Sequence, residues 1–161
     1  MQRHLQAIDT LLSRSAVADS KRIKKKSKES LCSLVRGFGK RTGIEARFDA
    51  VGDTSDINQA ASLALLRVVQ EALVNIHRHA HATYAEVLLQ RRNNEIWLIV
   101  SDNGVGLPSG GRSHETPGGI GLVGMRRRVE ALRGRIDMKN LKRGLQRIVA
   151  VAVKSRSAQA A

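Results

Sequence analysis

Several residue types are scarce in this chain of 161 residues, and each scarcity excludes a class of protein. The single cysteine, Cys32, excludes a disulfide framework and a cysteine-rich zinc site. Aromatic residues make up 2% of the chain, so the core must be aliphatic, and no aromatic platform for single-stranded nucleic acid is visible. No apolar run approaches the roughly 18–20 residues that a membrane span needs, and the first residues carry no secretory signal. These absences predict a soluble cytoplasmic protein.

Acidic residues are also few, since 14 Asp and Glu stand against 28 Lys and Arg and leave a net charge of +14. Such a charge favours an anionic partner, which could be a nucleic acid, an acidic protein, a membrane surface or a polyphosphate. The densest basic stretch, Lys21–Lys28, fits a nucleic-acid or membrane patch, although such a run is more often a solvated helix face or a frayed linker. A basic nucleic-acid-binding protein therefore stays open as one hypothesis.

Hydrophobic periodicity predicts an alternation of helices and strands. Residues 1–42 have helical spacing, and residues 59–80 give the strongest helix signal because their apolar side chains form one stripe. A further helix is predicted over Ile120–Leu132, ended by Gly134. Glu95–Ser101 is predicted to be a central strand, since it is apolar on both faces. The predicted strands are Glu45–Val51, Tyr84–Arg91, Glu95–Ser101, Arg135–Lys139 and Leu145–Val153.

Three polar or glycine-rich segments carry the chemistry, and the first lies on the strongest predicted helix. Glu71 and Asn75 are one helical turn apart and share a face, which Arg78 and His79 continue. An amide oxygen is a suitable ligand for Mg²⁺, a carboxylate can orient or deprotonate a nucleophile, and a cation can hold a phosphate. The alternative is an ordinary polar helix surface.

The second segment, Asp102–Gly106, directly follows the predicted central strand. A carboxylate at a strand end can accept a hydrogen bond from an amino group such as the exocyclic amine of adenine. Gly104 and Gly106 permit a close approach of the backbone to a ligand. A plain Asp-Asn-Gly turn has the same pattern, so this segment alone does not decide its function.

The third segment, Gly118–Leu122, opens a predicted helix, where backbone N–H groups attract phosphate. Residues 119–124 also spell the G-x-G-x-x-G fingerprint of dinucleotide-binding folds, which requires a strand immediately before it. The preceding residues 107–117 are rich in Gly, Ser and Pro and cannot form that strand. The dinucleotide fold is therefore rejected.

The order and spacing of the three segments resemble the ATP-binding domain of the GHKL superfamily, shared by histidine kinases, gyrase-type ATPases and related proteins. The stretches that carry the resemblance are VVQEALVNIHRHAHA, VSDNGVGL and GGIGLVGMRRRVEALRGRI, and it extends over roughly residues 40–153. It is greatest to the NarX-like (nitrate-sensor) class of two-component sensor histidine kinases. The resemblance implies an α/β two-layer sandwich, the Bergerat fold, with a mixed β-sheet covered on one face by helices and with extra N-terminal helices.

The resemblance also implies roles for individual residues and names ATP and Mg²⁺ as cofactors. Asn75 matches the Mg²⁺ ligand, and Glu71 matches its acidic partner, the candidate general base. Asp102 matches the carboxylate that reads adenine, and residues 107–118 match the ATP lid. The other residues implied in nucleotide binding are Arg78, His79, Gly104, Gly106, Gly119, Gly121 and Leu122.

The implied organisation has three parts. Residues 1–42 are predicted to be a shortened helical dimerisation or linker region, residues 43–153 the catalytic domain and residues 154–161 a disordered tail. Complete kinases of this class carry a phosphoacceptor histidine on a helical hairpin, and the context of His4 does not match it. We therefore expect the acceptor histidine to lie outside this chain. A second departure is that no Thr or Ser follows Gly144.

The predicted function is an ATP-dependent protein-histidine kinase domain, which transfers the γ-phosphate of ATP to a histidine not present in this chain, for relay to a response regulator. The implied partners are that regulator, a phosphoacceptor (dimerisation) domain and a second copy of the chain, with no specific nucleic acid. A cytoplasmic location is implied, with any membrane anchor in upstream segments. Two GHKL alternatives stay open, namely an anti-sigma-factor-type serine kinase and a catalytically silent nucleotide-binding module.

Overall fold

Three helices and five strands make up the described part of the chain, which comprises residues 27–108 and 119–153 of the computed structural model. A five-residue π-helical turn, Ile76–Ala80, continues the second helix. Each predicted strand is present, with bounds that differ by at most one residue. The helices are α1 (Ser27–Thr42), α2 (Gln59–Asn75) and α3 (Gly119–Glu130), and the strands are β1 (Glu45–Val51), β2 (Tyr84–Arg92), β3 (Glu95–Asp102), β4 (Arg135–Asn140) and β5 (Leu145–Ala152).

The five strands form one sheet in the order β1-β2-β3-β5-β4. Strand β1 runs parallel to β2, and the other neighbouring pairs are antiparallel, so the sheet is mixed as predicted. The β2–β3 hairpin turns at Asn93, whose φ of 51° is left-handed. Strand β3 is central, as predicted, and its alternate residues Ile96, Leu98 and Val100 are buried.

The hydrophobic core lies between the helices and one face of the sheet. The inward side chains of β2, β3 and β5 pack with the apolar stripe of α2 in a single cluster. Helix α1 adds Leu34 and Phe38 to that cluster, and α3 adds Met125 and Val129. The predicted two-layer sandwich is therefore confirmed. Helix α1 shares the core of the sheet, while the proposed domain boundary after residue 42 stays a prediction.

Helix α2 begins at an N-cap formed by Asn58, whose Oδ1 accepts a hydrogen bond from the Ala61 N–H at 2.8 Å. The predicted continuation of this helix is present, but residues 76–80 widen into a π turn that ends at His81 with a left-handed φ of 50°. A π turn holds more residues than an α turn. Side chains after Asn75 are therefore rotated about the axis relative to an α-helix.

No helix within residues 27–108 and 119–153 is long and apolar enough to cross a bilayer. Several predictions fall outside these described residues, namely the helices before residue 27, residues 109–118 of the lid and the tail from residue 154. The same holds for His4 and for most of the basic run Lys21–Lys28.

Candidate functional site

A cavity of about 280 Å³ lies where the end of α2, the end of β3, the start of α3 and strands β4 and β5 meet. Most of its lining is apolar, and the polar side chains that reach it are a carboxylate, a guanidinium, an amide and an imidazole. The lining residues are Asn75, His79, Ala80, Asp102, Val105, Gly106, Leu107, Pro108, Leu122, Met138, Leu145 and Arg147.

Asp102 supplies a buried hydrogen-bond acceptor to the cavity. It is the last residue of β3 and is 4% exposed. Its Oδ1 accepts a hydrogen bond from the Gly104 N–H at 2.9 Å, and its Oδ2 lies 3.3 Å from Nη1 of Arg147. Because the two oxygens of a carboxylate offer about four acceptor positions, Asp102 keeps capacity for an amino group in the cavity.

The turn after Asp102 depends on two glycines. A Cβ on Gly104 would collide with the backbone carbonyl of Ala80, which also accepts the Val105 N–H at 2.8 Å. Gly106 has a φ of 73°, in the left-handed region that favours glycine. Gly106 lines the cavity, while Gly104 packs behind the wall, against Ala80.

Two asparagines to which the sequence assigned no role hold this turn at its two ends. Oδ1 of Asn103 accepts hydrogen bonds from the backbone N–H groups of Thr83 and Tyr84, both at 3.0 Å. Asn140, at the end of β4, accepts the Leu107 N–H at 2.8 Å and donates to the Leu107 carbonyl at 3.0 Å. Asn103 lies in a recognisable turn motif, whereas the partner of Asn140 lies 33 residues away and leaves no local signal.

Arg147 is a third site residue that the sequence left unassigned. It lies on β5 between the buried Leu145 and Val149, at a position where strand alternation predicts an apolar side chain. Its side chain is 6% exposed and pairs with that of Asp102, which is 1% exposed. Burial lowers the pKa of Arg147, and the negative charges of Asp102 and Glu71 oppose that shift. The guanidinium nevertheless stays cationic near neutral pH.

The end of α2 brings two of its four predicted side chains to the cavity. Asn75 and His79 line it, whereas Arg78 is exposed and Glu71 is half-buried, and neither is a lining residue. The π turn explains the split between Arg78 and His79, because it rotates the side chains that follow Asn75.

The first turn of α3 approaches α2 closely. A Cβ on Gly121 would overlap the carboxylate end of the Glu71 side chain, so a larger residue at this position would displace that carboxylate. Leu122 lines the cavity and Gly121 does not, while Gly119 is the first residue of α3. The three segments predicted to share a site therefore meet at one cavity, with Leu122 as the contribution of α3.

The donor set of the site suits a magnesium ion that is shared with a phosphorylated ligand. Within the ranges that the structure describes, no group of three His, Cys, Asp or Glu side chains could hold a metal. Among these side chains, His77 packs its ring edge-on against that of Phe38, with ring centroids 6.5 Å apart. Mg²⁺ usually keeps several waters and binds one or two protein oxygens together with substrate phosphates. The amide oxygen of Asn75, which lines the cavity, fits such a site.

Comparison with known proteins assigns this arrangement to a family. The family model described as histidine kinase-, DNA gyrase B- and HSP90-like ATPase matches residues 60–156, which include α2 except its first residue, the lining of the cavity and strands β2 to β5. The chain belongs to this ATPase family. The GHKL resemblance is thereby confirmed, and the five-stranded mixed sheet is that of its ATPase domain.

Several relatives of this ATPase domain are histidine kinases. The histidine-protein kinase/phosphatase DegS of Brevibacillus brevis is 33% identical over 68% of this chain and 28% of its own length. The sensor histidine kinase MctS of Rhizobium johnstonii is 39% identical over 65% of this chain and 23% of its own length. The prediction of an ATPase domain of the sensor histidine kinase type is confirmed, and the chain spans about a quarter of the length of these relatives.

A solved structure shows the same fold. The histidine kinase domain of the blue-light-activated histidine kinase from Erythrobacter litoralis EL346 superimposes on this ATPase domain with a TM-score of 0.63 at 19% identity. The superposition covers 79% of this chain and 61% of that chain. The predicted fold class is therefore confirmed by an independent structure.

Proposed function

We propose that this ATPase domain binds ATP with Mg²⁺ in the cavity and transfers the γ-phosphate to a histidine of a phosphoacceptor domain, for relay to a response regulator. The observation that carries the proposal is the buried carboxylate of Asp102, which faces a largely apolar cavity in a member of an ATPase family. These two relatives are named as histidine kinases, which favours histidine over serine as the acceptor and catalysis over a silent module.

The shape and lining of the cavity suit the adenine base. Its apolar side chains give a dry slot for an aromatic ring, and Asp102 provides an acceptor for the exocyclic amine. Its volume of about 280 Å³ is just below the roughly 300–1,000 Å³ that ligand pockets occupy. The triphosphate therefore extends beyond the slot, towards the more exposed lining residues Asn75 and His79.

The polar end of the site is proposed to hold the phosphates. The amide oxygen of Asn75 would hold Mg²⁺, which supplies neutralisation of the phosphate charge when bound. Glu71 lies one turn before Asn75 and is the proposed general base. His79 and Arg78 lie beside the same helix end as candidate phosphate contacts, and the backbone of α3 near Gly121 offers N–H groups.

The proposed partners follow from phosphotransfer. The domain needs a phosphoacceptor domain with a reactive histidine and a response regulator that takes the phosphate onward, and a second copy of the chain is a further candidate partner. We place the domain in the cytoplasm, because ATP is supplied there.

The test measures nucleotide binding and phosphotransfer. A fluorescent ATP analogue with Mg²⁺ is titrated into the wild type, Asp102→Asn and the matched control Asp137→Asn, which changes an exposed carboxylate on β4. Asp102→Asn replaces an acceptor that faces the amine by a group that can present a donor. We therefore expect the affinity of this variant for the ATP analogue to be lower than that of the wild type by a factor of about ten or more. The control should bind like the wild type.

The transfer arm mixes the domain with [γ-³²P]ATP and a separate phosphoacceptor hairpin. Acid-labile label on histidine is the expected result, and acid-stable label on serine would favour the anti-sigma-factor type of kinase instead. Equal binding by the wild type and Asp102→Asn, with both variants shown to be folded by circular dichroism, would contradict the assignment of the base pocket.

A further inference from the structure

The cavity contains a buried cation that adenine recognition by a carboxylate does not require. Arg147 is 5% exposed and lines the same cavity as Asp102, and the two side chains pair at 3.3 Å between Nη1 and Oδ2. Its Nε is buried, and no atom of residues 27–108 or 119–153 accepts a hydrogen bond from it. The cavity thus offers an acceptor and a donor side by side at its buried end.

This arrangement is costly if its only purpose is stability. A buried ion pair often stabilises a protein no more than apolar residues of similar volume, and a buried donor without an acceptor costs about 1–3 kcal/mol. The neighbours of Arg147 on the same side of β5, Leu145 and Val149, are apolar and buried. An apolar side chain would suit this position of the strand, so we look to a ligand in the cavity to explain the guanidinium.

The chemistry of the base supplies that reason. In adenine the 6-amino donor is flanked by ring nitrogens that accept hydrogen bonds, N1 on one side and N7 on the other. A carboxylate alone accepts a hydrogen bond from the amine and leaves the neighbouring ring nitrogen without a donor from the protein. A guanidinium beside the carboxylate supplies the matching donor, and Arg has donors to spare after it has paired with Asp102.

We propose that Arg147 is a specificity-determining residue of the base pocket, which donates a hydrogen bond to the ring nitrogen next to the amine that Asp102 accepts. The inference rests on the proposed binding of ATP and deepens it. The pair of Asp102 and Arg147 reads two adjacent atoms of the base edge, so the pocket selects a base with a donor next to an acceptor.

The test is a binding cycle between base analogues and variants of the full chain. ATP, 7-deaza-ATP and 1-deaza-ATP, of which the last two each lack one ring nitrogen, are titrated into the wild type, Arg147→Met and Arg147→Lys by competition against a fluorescent ATP analogue. We expect the wild type to bind one of the two deaza analogues with an affinity lower than that for ATP by a factor of about five or more. Arg147→Met should lose this discrimination, and Arg147→Lys, which keeps a charged donor, should recover part of it.

A structural role of Arg147 gives a different pattern. If Arg147 only positions Asp102, Arg147→Met weakens ATP and both analogues by the same factor, and the inference is overturned. Tighter binding of ATP to Arg147→Met would also overturn it, because Arg147 would then compete with the base. Arg143→Met, which removes an exposed arginine near the start of β5, is the matched control and should keep the wild-type ratios.

The wild-type series keeps the inference testable even if Arg147→Met does not fold. Equal affinity of the wild type for ATP and both deaza analogues overturns the inference without any variant. Suppose that Asp102→Asn weakens ATP binding but Arg147→Met leaves the ratios of ATP affinity to deaza-analogue affinity unchanged. This inference then fails and the proposed function stands. If the wild type binds no ATP, the proposed function fails, and the inference falls with it.

Discussion

The substitution Gly104→Ala is expected to destabilise the fold and weaken nucleotide binding at once. An added Cβ would lie 2.7 Å from Cβ of Ala80 and 2.8 Å from its carbonyl carbon, and it would overlap the carbonyl oxygen. Carbon atoms in contact lie about 3.5–4.0 Å apart, so the turn must move by about 1 Å. That movement strains the Val105 N–H bond to Ala80 and the Gly104 N–H bond to Asp102, which are 2.8 and 2.9 Å long.

The size of the effect follows from two contributions. Overpacking of this kind costs about 1–3 kcal/mol, and the loss of one backbone hydrogen bond costs about 1 kcal/mol. A total of about 2–4 kcal/mol lowers the melting temperature of a domain of this size by roughly 5–15 °C. Because the N–H that orients Asp102 is displaced, we expect ATP affinity to fall by about tenfold or more.

The assay is thermal unfolding by circular dichroism, with ATP titrations run below the melting temperature of each variant. Gly124→Ala is the matched control, since its added Cβ would meet Nη1 of Arg128, the end of a flexible side chain, at 3.1 Å. Alanine in a helix is about 1 kcal/mol better than glycine, so this variant should melt at or above the wild-type temperature. A Gly104→Ala protein that melts and binds ATP like the wild type would refute the close-approach reasoning.

Two further predictions concern the end of β4 and a surface ion pair. Asn140→Ala removes both hydrogen bonds to Leu107. We therefore expect faster hydrogen exchange at the Leu107 amide and about three- to tenfold weaker ATP binding. An unchanged exchange rate at that amide would contradict this prediction. Hydrogen bonds from Arg135 and from the indole of Trp97 hold the pKa of Glu95 below its ordinary value. A carboxylate with a depressed pKa stabilises the fold above its unfolded-state pKa of about 4.3 and loses that effect as the pH falls through its folded-state value. The melting temperature of the wild type should therefore exceed that of Glu95→Gln at pH 7 and converge with it in acid, whereas a constant difference would contradict the assignment.

The sequence predicted the elements well because their signals are local. Alternation placed all five strands to within one residue, and the apolar stripe placed α2. The segments around Asn75, Asp102 and Gly121 were recognised by order and spacing, and the structure brings all three to one cavity. What the sequence did not show was the π turn at the end of α2, which places His79 in the lining of the cavity and Arg78 outside it, while the role of Arg78 in nucleotide binding stays a prediction.

The sequence alone therefore determined the order of helices and strands and the two glycine-rich turns, because each depends on residues within a few positions of one another. It also determined the ATPase family, because the order and spacing of three short segments are visible along the chain. The tertiary structure alone decided which side chains from distant parts of the chain contact one another at the site. Strand β5 inserts between β3 and β4 with Arg147 opposite Val100, two residues before Asp102, and this register sets the guanidinium against the carboxylate. The pairing joins residues 45 positions apart, and since strand order is fixed by the packing of the whole sheet, no local pattern contains it.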